Sequence, residues 1–394
     1  MSAREVAAEE FEDDGDEVAA KPHLYVLASA KENGPLPLPH ARAMARGNGA
    51  CTAEAERVVA RTRSSHRLAY RISDMPVIAC GSVPGYGPIF NPGVVADESG
   101  LLHLVARCVH DGYRPNPDAG HYGPRFWDYY SDLAVFTSRD GLNYEFGHVL
   151  DRGNNGPTAS YEDARVQRIN DKGVERMIMT YTNLPDSANK PWRIGSRELV
   201  FRDGKLVHAD APERIIGPDG IANKDGVIFN LADGRVALIH RIRPKMQIAV
   251  FDSLDDLYAA DASYWDPYMA DLDAHTLIAP DKGADCVGAG APPLASEDGL
   301  LCFYHQREGD GEYNMRLALL DSETGLVKAK LDEPILRAGH DWERNGDVND
   351  VIFVQGAVRL PDGTIYLTYG GSDCHVGAAL ADERSLISAL RRAS

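Results

Sequence analysis

The sequence predicts an all-β fold, a five-bladed β-propeller, and three observations support that prediction. After residue 70, short runs of Val, Ile, Leu, Tyr and Phe alternate with Asp-Gly, Asn-Pro and Pro-Gly turns, which is typical of many short strands. A short apolar strand, followed by a polar turn and a Leu, occurs in copies that begin at Leu133, Leu199, Ile248, Leu317 and Gly377. Their spacing fits four-stranded blades around a central channel, and a β-sandwich with chance repeats is the alternative.

We expect the chain to divide into an acidic, partly helical N-terminal extension over residues 1–65 and a five-bladed propeller domain over residues 66–394, which would hold any functional site. Residues 1–20 are rich in Glu, Asp and Ala, and residues 38–70 carry Ala, Arg and Glu at helix-compatible spacing. A helix outside a β-domain packs against a neighbouring blade or against a second subunit. The sequence therefore allows a homo-oligomer without requiring one. Elsewhere we expect helix only in short turns.

Charge and cysteine content exclude several classes of protein. Lys and Arg total 41 against 59 Asp and Glu, so the net charge of -18 opposes binding to nucleic acid and to anionic membranes. The sequence has neither a secretory signal nor an apolar run long enough to span a bilayer. Six cysteines without a Cys-x-x-Cys pair indicate reduced, mostly buried thiols. We therefore expect a soluble, cytoplasmic protein that holds any anion with a local cationic cluster.

Polar residues interrupt two of the predicted strands. Asn91 lies in Phe-Asn-Pro-Gly, which forms a turn or offers an amide to a sugar hydroxyl. In Ser-Tyr-Glu-Asp-Ala-Arg-Val, strand alternation places Asp163 and Arg165 on one side and Glu162 on the other. Asp163 and Arg165 form either a structural ion pair or a carboxyl group that is aimed into the channel and oriented by Arg165.

Positive residues meet at two adjacent strand ends. Lys224 begins one strand, and His240 and Arg241 end the next. They are either solvated side chains or an anion site. Nearby, the Gly-Ala-Gly-Ala run of residues 288–291 allows close backbone approach to a ligand. The sequence contains no metal-binding, dinucleotide-binding or serine-hydrolase motif, so we expect neither a metal ion nor a cofactor.

These segments together resemble glycoside hydrolase family 130, the β-mannoside phosphorylases and β-mannosidases. The matching segments, which run in family order between about residues 85 and 380, are Phe90-Asn-Pro92, Tyr161-Glu-Asp-Ala-Arg165, Lys224-Asp-Gly-Val-Ile-Phe229, His240-Arg241, Gly288-Ala-Gly-Ala-Pro-Pro293, Tyr304-His305, Gly346-Asp-Val-Asn-Asp-Val-Ile-Phe353 and Tyr369-Gly-Gly-Ser-Asp373. The resemblance implies a five-bladed propeller, in agreement with the repeats.

The resemblance also implies inverting phosphorolysis of a β-1,4- or β-1,2-linked manno-oligosaccharide or a mannosyl-glucose. Asp163 matches the general acid, which protonates the leaving oxygen through a mannose hydroxyl. Inorganic phosphate, the co-substrate, attacks the opposite face and yields α-mannose 1-phosphate. A cationic pocket then replaces the second carboxylate of an inverting hydrolase.

The remaining site residues follow from the same resemblance. The implied phosphate ligands are Arg193, Lys224 and His240. The implied substrate contacts are Asn91, Arg165, Asp225, Tyr304, His305 and Asp373, with Arg165 orienting Asp163. The chain departs from the family pattern at Ala164, Gly226, Asn230 and Gln306, which leaves the acceptor sugar open.

Three other functions compete with phosphorolysis. A β-mannosidase of the same family uses water that carboxylates activate, and the retained Lys224 and His240 favour phosphate over water. A non-catalytic carbohydrate-binding propeller is the alternative from another class. A five-bladed arabinanase is the third, and its acidic residues have no clear counterpart in this sequence.

Overall fold

A computed structural model describes residues 67–118, 125–154, 156–185 and 190–393. In these residues, five antiparallel sheets follow one another along the chain, and each has the up-and-down order of a propeller blade. The five-bladed propeller predicted from the sequence is confirmed. The N-terminal extension of residues 1–65 lies outside the described residues. No helix in the described part of the chain is both long and apolar enough to cross a bilayer.

The first two blades contain the longest inner strands. Blade 1 consists of β2 (Tyr86–Ala96), β3 (Leu102–His110), β6 (Ser131–Ser138) and β7 (Glu145–Asp151), with the small hairpin β4 (Arg114–Pro115) and β5 (Phe126–Trp127) inserted after β3. Blade 2 consists of β8 (Thr158–Asp171), β9 (Val174–Pro185), β10 (Arg193–Arg202) and β11 (Lys205–His208), and β12 (Arg214–Ile216) also pairs with β10.

The other three blades complete the ring. Blade 3 consists of β13 (Lys224–Asn230), β14 (Val236–Ile242), β15 (Lys245–Phe251) and β16 (Thr276–Ile278). Blade 4 consists of β17 (Cys286–Ala289), β19 (Gly299–Arg307), β20 (Tyr313–Leu320) and β21 (Val327–Lys330), with β18 (Leu294–Ser296) beside β19. Blade 5 consists of β22 (Ile352–Arg359), β23 (Thr364–Gly371), β24 (His375–Asp382) and β1 (Tyr70–Arg71).

The sequence repeat marks the third strand of every blade. Its five copies coincide with β6, β10, β15, β20 and β24. The Leu that follows the turn is buried in three copies, for example Leu206 and Leu386, whereas Leu326 is exposed. The repeat therefore records one strand position per blade, which is why it counts the blades correctly.

Helices are more extensive than the sequence indicated. The helices α1 (Leu254–Ala259) and α2 (Ala262–Ala270) and a 3-10 turn (Leu272–His275) are inserted between β15 and β16. Two further helices, α3 (Asp341–Arg344) and α4 (Glu383–Ala393), belong to blade 5. Leu257, Trp265 and Tyr268 bury the apolar side of the insertion against blade 3. The expectation that helix would be confined to the N-terminus and short turns is wrong.

A β-strand from the beginning of the described chain closes the ring. β1 pairs with β24, the third strand of blade 5, so the blade formed by the end of the chain receives its outer strand from the beginning. Arg71 in β1 donates to both carboxylate oxygens of Glu343, at 2.6 and 2.7 Å. Glu343 is fully buried and also accepts a hydrogen bond from the Tyr369 hydroxyl. This ion pair secures β1 against the body of the propeller.

We expect Arg71→Met to lower the free energy of unfolding by about 3 kcal/mol, because the Glu343 carboxylate would stay buried without its charged partner. Urea denaturation measures this loss. The matched control is Arg235→Met, which breaks the exposed Arg235–Asp233 pair and should cost less than about 1 kcal/mol. Equal effects of the two substitutions would contradict a closing role for Arg71.

Candidate active site

Three inner strands carry the same local irregularity. Asn91 in β2, Asp163 in β8 and Asp225 in β13 have φ values of 48°, 57° and 54°. Each lies within a shift of strand register to the neighbouring strand. Asn and Asp tolerate this left-handed conformation better than other side chains with a Cβ, and such a bulge re-aims a side chain. The predicted polar positions of blades 1, 2 and 3 are thus equivalent bulges around the channel.

Asp163 is held by residues of blade 1. Its Oδ1 atom accepts a hydrogen bond of 2.9 Å from the Asn91 amide and lies 3.5 Å from the Arg107 guanidinium. The same guanidinium donates to Glu162 at 2.7 Å. Glu162 and Asp163 therefore contact one cation, although strand alternation had predicted that they point to opposite sides. The bulge at Asp163 interrupts the alternation.

Glu162 forms ion pairs with two cations, Arg107 and Lys224. Its second oxygen accepts a hydrogen bond of 3.1 Å from Lys224. Burial alone would raise the pKa of Glu162, but Arg107 and Lys224 outweigh burial and hold the pKa below its ordinary value. The Lys224 ammonium also lies 4.2 Å from the ring centre of Trp192, whose side chain is 43% exposed. Lys224 is thereby connected to Asp163 through Glu162 and Arg107.

Arg193 lies beside this cluster in the fold. It begins β10, immediately after Trp192, and donates at 2.8 Å to the Asn183 side chain. The Trp192 carbonyl accepts a hydrogen bond of 3.0 Å from the main-chain N–H of Asn223, directly before Lys224. The segments of Arg193 and Lys224 therefore meet at the same end of adjacent blades.

Arg165 does not orient the Asp163 carboxylate, in contrast to the prediction. It is 1% exposed and makes four hydrogen bonds, to the carbonyls of Asp163, Ala289 and Gly290 and to the Asp225 carboxylate. Its contact with Asp163 is with the main chain alone. Arg165 ties the inner strands of blades 2, 3 and 4 together and is not placed to bind substrate, which corrects that assignment.

Asp225 and His305 form part of the same buried network. The Asp225 carboxylate lies 3.1 Å from Arg165, 2.9 Å from Arg241 and 3.4 Å from His305. Burial would raise the pKa of Asp225, but the two guanidinium groups reverse that effect and lower it strongly. Burial lowers the pKa of His305 to about 4. Asp225 and His305, both predicted as sugar contacts, are at most 1% exposed, and the charged neighbours described for them belong to the protein.

The glycine run serves this network as well. A Cβ atom at Gly288 would lie 2.2 Å from Asp225 and 2.4 Å from His305. The absence of a side chain at Gly288 therefore allows β17 to approach the buried ion pair. The close approach predicted from Gly-Ala-Gly-Ala exists, but the neighbour is the protein itself.

His240 and Tyr304 occupy different surroundings from those predicted. The two ring nitrogens of the fully buried His240 contact the Asn223 side chain at 3.1 Å and the Tyr268 hydroxyl at 2.9 Å. Burial lowers the pKa of His240 to about 3, so the ring is neutral at physiological pH. With both nitrogens occupied, His240 supports the segment of Lys224 and does not bind phosphate directly. Tyr304 belongs to the apolar core between blades 3 and 4.

Blade 5 contributes two further carboxyl groups. Asp373 follows β23 with a φ of 54°, and Asp347 accepts a hydrogen bond of 2.9 Å from the Tyr113 hydroxyl. Burial raises the pKa of Asp373 to about 7, with Asp163 and Asp347 adding to this effect and Arg107 opposing it. Asp373, predicted as a substrate contact, thus lies within electrostatic reach of Asp163.

Arg107, Trp192 and Asp347 were not selected from the sequence. Arg107 carries the one visible signal, a charged side chain within the apolar strand Leu-Val-Ala-Arg-Cys-Val. Its position between two carboxylates depends on the packing of blade 1 against blade 2. Within the described residues, no three His, Cys, Asp or Glu side chains are grouped as metal ligands.

This arrangement combines one available carboxylate with fixed cations. Both contacts of the Asp163 carboxylate are to Oδ1, and Oδ2 has no hydrogen bond from the described residues. Arg107 and Lys224 lie on the same side, bridged by Glu162. The site can therefore transfer a proton at Asp163 and stabilise an anion beside it.

Comparison with known proteins gives consistent matches over the propeller. The sequence-family model of glycosyl hydrolase family 130, which is described as beta-1,4-mannooligosaccharide phosphorylase, matches residues 56–392. A 1,2-beta-oligomannan phosphorylase of Thermoanaerobacter sp. strain X514 is 28% identical over 328 residues, which cover 80% of this chain and 98% of the relative.

Two solved structures share the fold. The β-1,2-mannobiose phosphorylase of Listeria innocua, in complex with β-1,2-mannobiose, is 20% identical with a TM-score of 0.64, covering 82% of this chain and 99% of that one. A mannose phosphorylase of Leishmania mexicana, in complex with a phosphate ion, is 16% identical with a TM-score of 0.54, covering 85% and 94%.

Because the pKa of Asp373 is raised in the folded protein, we expect the free energy of unfolding to depend on pH. The folded protein retains a proton on Asp373 up to about pH 7, whereas the unfolded chain loses it near 3.8. The contribution of Asp373 to stability therefore falls as the pH rises between these values, and Asp373→Asn should remove this fall. Urea denaturation at about pH 5 and about pH 8 should show the variant gaining stability relative to the parent as pH increases. Asp362→Asn, at an exposed turn, is the control and should show no such gain.

Proposed function

The chain belongs to glycoside hydrolase family 130 and is a glycoside phosphorylase acting on mannosides, and from this premise we propose inverting phosphorolysis of a β-1,2-linked manno-oligosaccharide. The proposed product is α-mannose 1-phosphate. The linkage is supported by two relatives, a 1,2-beta-oligomannan phosphorylase and a beta-1,2-mannobiose phosphorylase, each 28% identical to this chain. Inorganic phosphate is the co-substrate, and no cofactor is indicated.

The observation that carries this proposal is the setting of Asp163. Asn91 and Arg107 hold one carboxylate oxygen, and the other, which has no hydrogen bond from the described residues, is proposed to contact a sugar hydroxyl. In the proposed reaction, Asp163 gives its proton to a hydroxyl of the bound mannose, and that hydroxyl protonates the leaving oxygen. Phosphate attacks the anomeric carbon from the opposite face, so the configuration is inverted.

Phosphate as the nucleophile accounts for the cationic side chains near Asp163. Phosphate is anionic at neutral pH and needs orientation more than deprotonation, which guanidinium and ammonium groups supply. We assign this role to Lys224 and Arg193, together with Arg107. Glu162 already neutralises part of this charge, because it pairs with both Lys224 and Arg107. Phosphate therefore competes with an internal carboxylate, which keeps the cations in place while the site is empty.

The sugar is proposed to bind between blades 1 and 5. Asp373 lies near Asp163 and, with a pKa of about 7, can donate or accept a hydrogen bond to a hydroxyl at neutral pH. The exposed face of Trp192 beside Lys224 offers an apolar surface to a second sugar ring. Since a sugar phosphate does not cross a bilayer unaided, we further propose that the enzyme acts in the cytoplasm, where its charged product is retained.

Phosphate dependence is the decisive experiment. We expect β-1,2-mannobiose to be consumed only when phosphate is present, with α-mannose 1-phosphate and mannose formed in equal amounts, as followed by phosphorus and proton NMR. A matched incubation with β-1,4-mannobiose distinguishes the linkages. Mannose release without phosphate would show a hydrolase instead, and consumption of neither disaccharide would overturn the assigned substrate class.

Asp163→Asn tests the acid role in the same reaction, because the amide keeps the shape of the side chain but has no acidic proton to donate. It should lower kcat by at least about 100-fold, as is typical when general acid catalysis is removed. A variant that retains the parent rate would transfer the acid role to another group.

Lys224→Ala tests the phosphate site. The KM for phosphate should rise roughly 30-fold, since a charge-assisted hydrogen bond contributes about 2 kcal/mol. Initial rates at varied phosphate measure this change, and the KM for the mannoside should change less. Lys245→Ala, which removes an exposed ion pair with Asp273, is the control. An unchanged phosphate KM in Lys224→Ala would exclude Lys224 from the site.

A further inference from the structure

Two cysteines from distant parts of the sequence meet beside the proposed sugar site. Cys80 precedes β2, and Cys374 follows Asp373 directly at the turn between β23 and β24. Ile78 and Val376 form an antiparallel bridge, with hydrogen bonds of 2.8 and 2.9 Å around it. Cys80 lies two residues after Ile78 and Cys374 lies two residues before Val376, so continuing this antiparallel register brings the turns that hold the two cysteines next to each other.

Two further observations agree with the backbone register. Burial raises the pKa of the Cys80 thiol, and the neighbouring Cys374 side chain acts in the opposite direction. The Cys80 amide donates at 3.0 Å to Nδ1 of His375, which holds the segment against the turn. A disulfide requires Cα atoms about 4.4–6.8 Å apart, which is the spacing of neighbouring backbone segments in an antiparallel register.

The two thiols differ in access to solvent. Among the cysteines of the described residues, Cys80 is the exposed one and Cys374 is buried, as are Cys108, Cys286 and Cys302. An oxidant therefore reaches Cys80 first, and Cys374 is placed to attack the oxidised sulfur. Burial raises the pKa of both thiols, to about 12 for Cys374, so little thiolate is present at neutral pH and oxidation requires excess peroxide.

We propose that Cys80 and Cys374 are a site of oxidative modification, at which a peroxide closes a disulfide and reversibly lowers enzyme activity. The Cys80 sulfur attacks the peroxide, which leaves a sulfenic acid and one water. The Cys374 sulfur then displaces the second water and forms the S–S bond. Two thiols lose two electrons and two protons, and one hydrogen peroxide becomes two waters, so the reaction balances.

The effect on activity follows from the neighbours of Cys374. Its sulfur accepts a hydrogen bond of 3.2 Å from the main-chain amide of Asp347. Asp373, the adjacent residue, lies in a strained turn with positive φ. Drawing the Cys374 sulfur towards Cys80 therefore displaces two carboxyl groups near Asp163. This consequence, unlike the disulfide itself, rests on the proposed sugar site.

The experiment uses the full chain and hydrogen peroxide, with excess reductant added afterwards. We expect oxidation to remove two free thiols, to yield a peptide in which Cys80 is linked to Cys374, and to lower kcat/KM about tenfold, as displacement of binding groups commonly does. Reductant should restore both thiols and activity. Cys80→Ser should have the parent activity and keep it in peroxide, because Cys80 contacts none of the proposed catalytic residues.

Cys51→Ser is the matched control, since it removes a thiol and should leave the enzyme sensitive to peroxide. Absence of the linked peptide from the oxidised parent would overturn the proposal, as would a linked peptide with unchanged activity. Equal loss of activity in Cys80→Ser would place the damage elsewhere. The linked peptide and the thiol count are scored whether or not the mannoside is turned over, so failure of the assigned substrate is distinguishable.

Discussion

The buried ion pair between Arg165 and Asp225 is the constraint on which the rest of the site depends. Both side chains are 1% exposed, so their charges are stable only with complete sets of partners. Arg165 reaches the main chain of its own strand and of blade 4, and Asp225 receives Arg241 from the adjacent strand. The pair thereby fixes the inner strands of three blades relative to one another.

This arrangement separates two layers of polar residues in the channel. The deeper layer, with Arg165, Asp225 and His305, makes its contacts within the protein and sets the backbone on which Asp163 lies. The outer layer contains Asp163 and the cations Arg107 and Lys224. Residue type alone does not distinguish the layers, because both contain carboxylates beside arginines, and only burial and partners separate them.

Cations that lie close together allow an acidic protein to bind an anionic nucleophile. With a net charge of -18, the molecule as a whole repels phosphate. In the proposed reaction the attraction is local and is assigned to Arg107 and Lys224, both of which pair with Glu162 in this structure. Phosphate would then compete with Glu162 for the same two cations.

The sequence by itself determined the number of blades and the order of the polar segments, because these are local patterns of strand, turn and motif, and the family resemblance proposed Asp163 as the acid. Only the tertiary structure decided that His240 and Arg165 have all-protein partners and that Arg107 contacts Asp163. Those facts depend on which blades pack together and on a bulge that breaks strand alternation at Asp163. The spacing of residues along the sequence gives no information about which blades pack together or about the positive φ of Asp163.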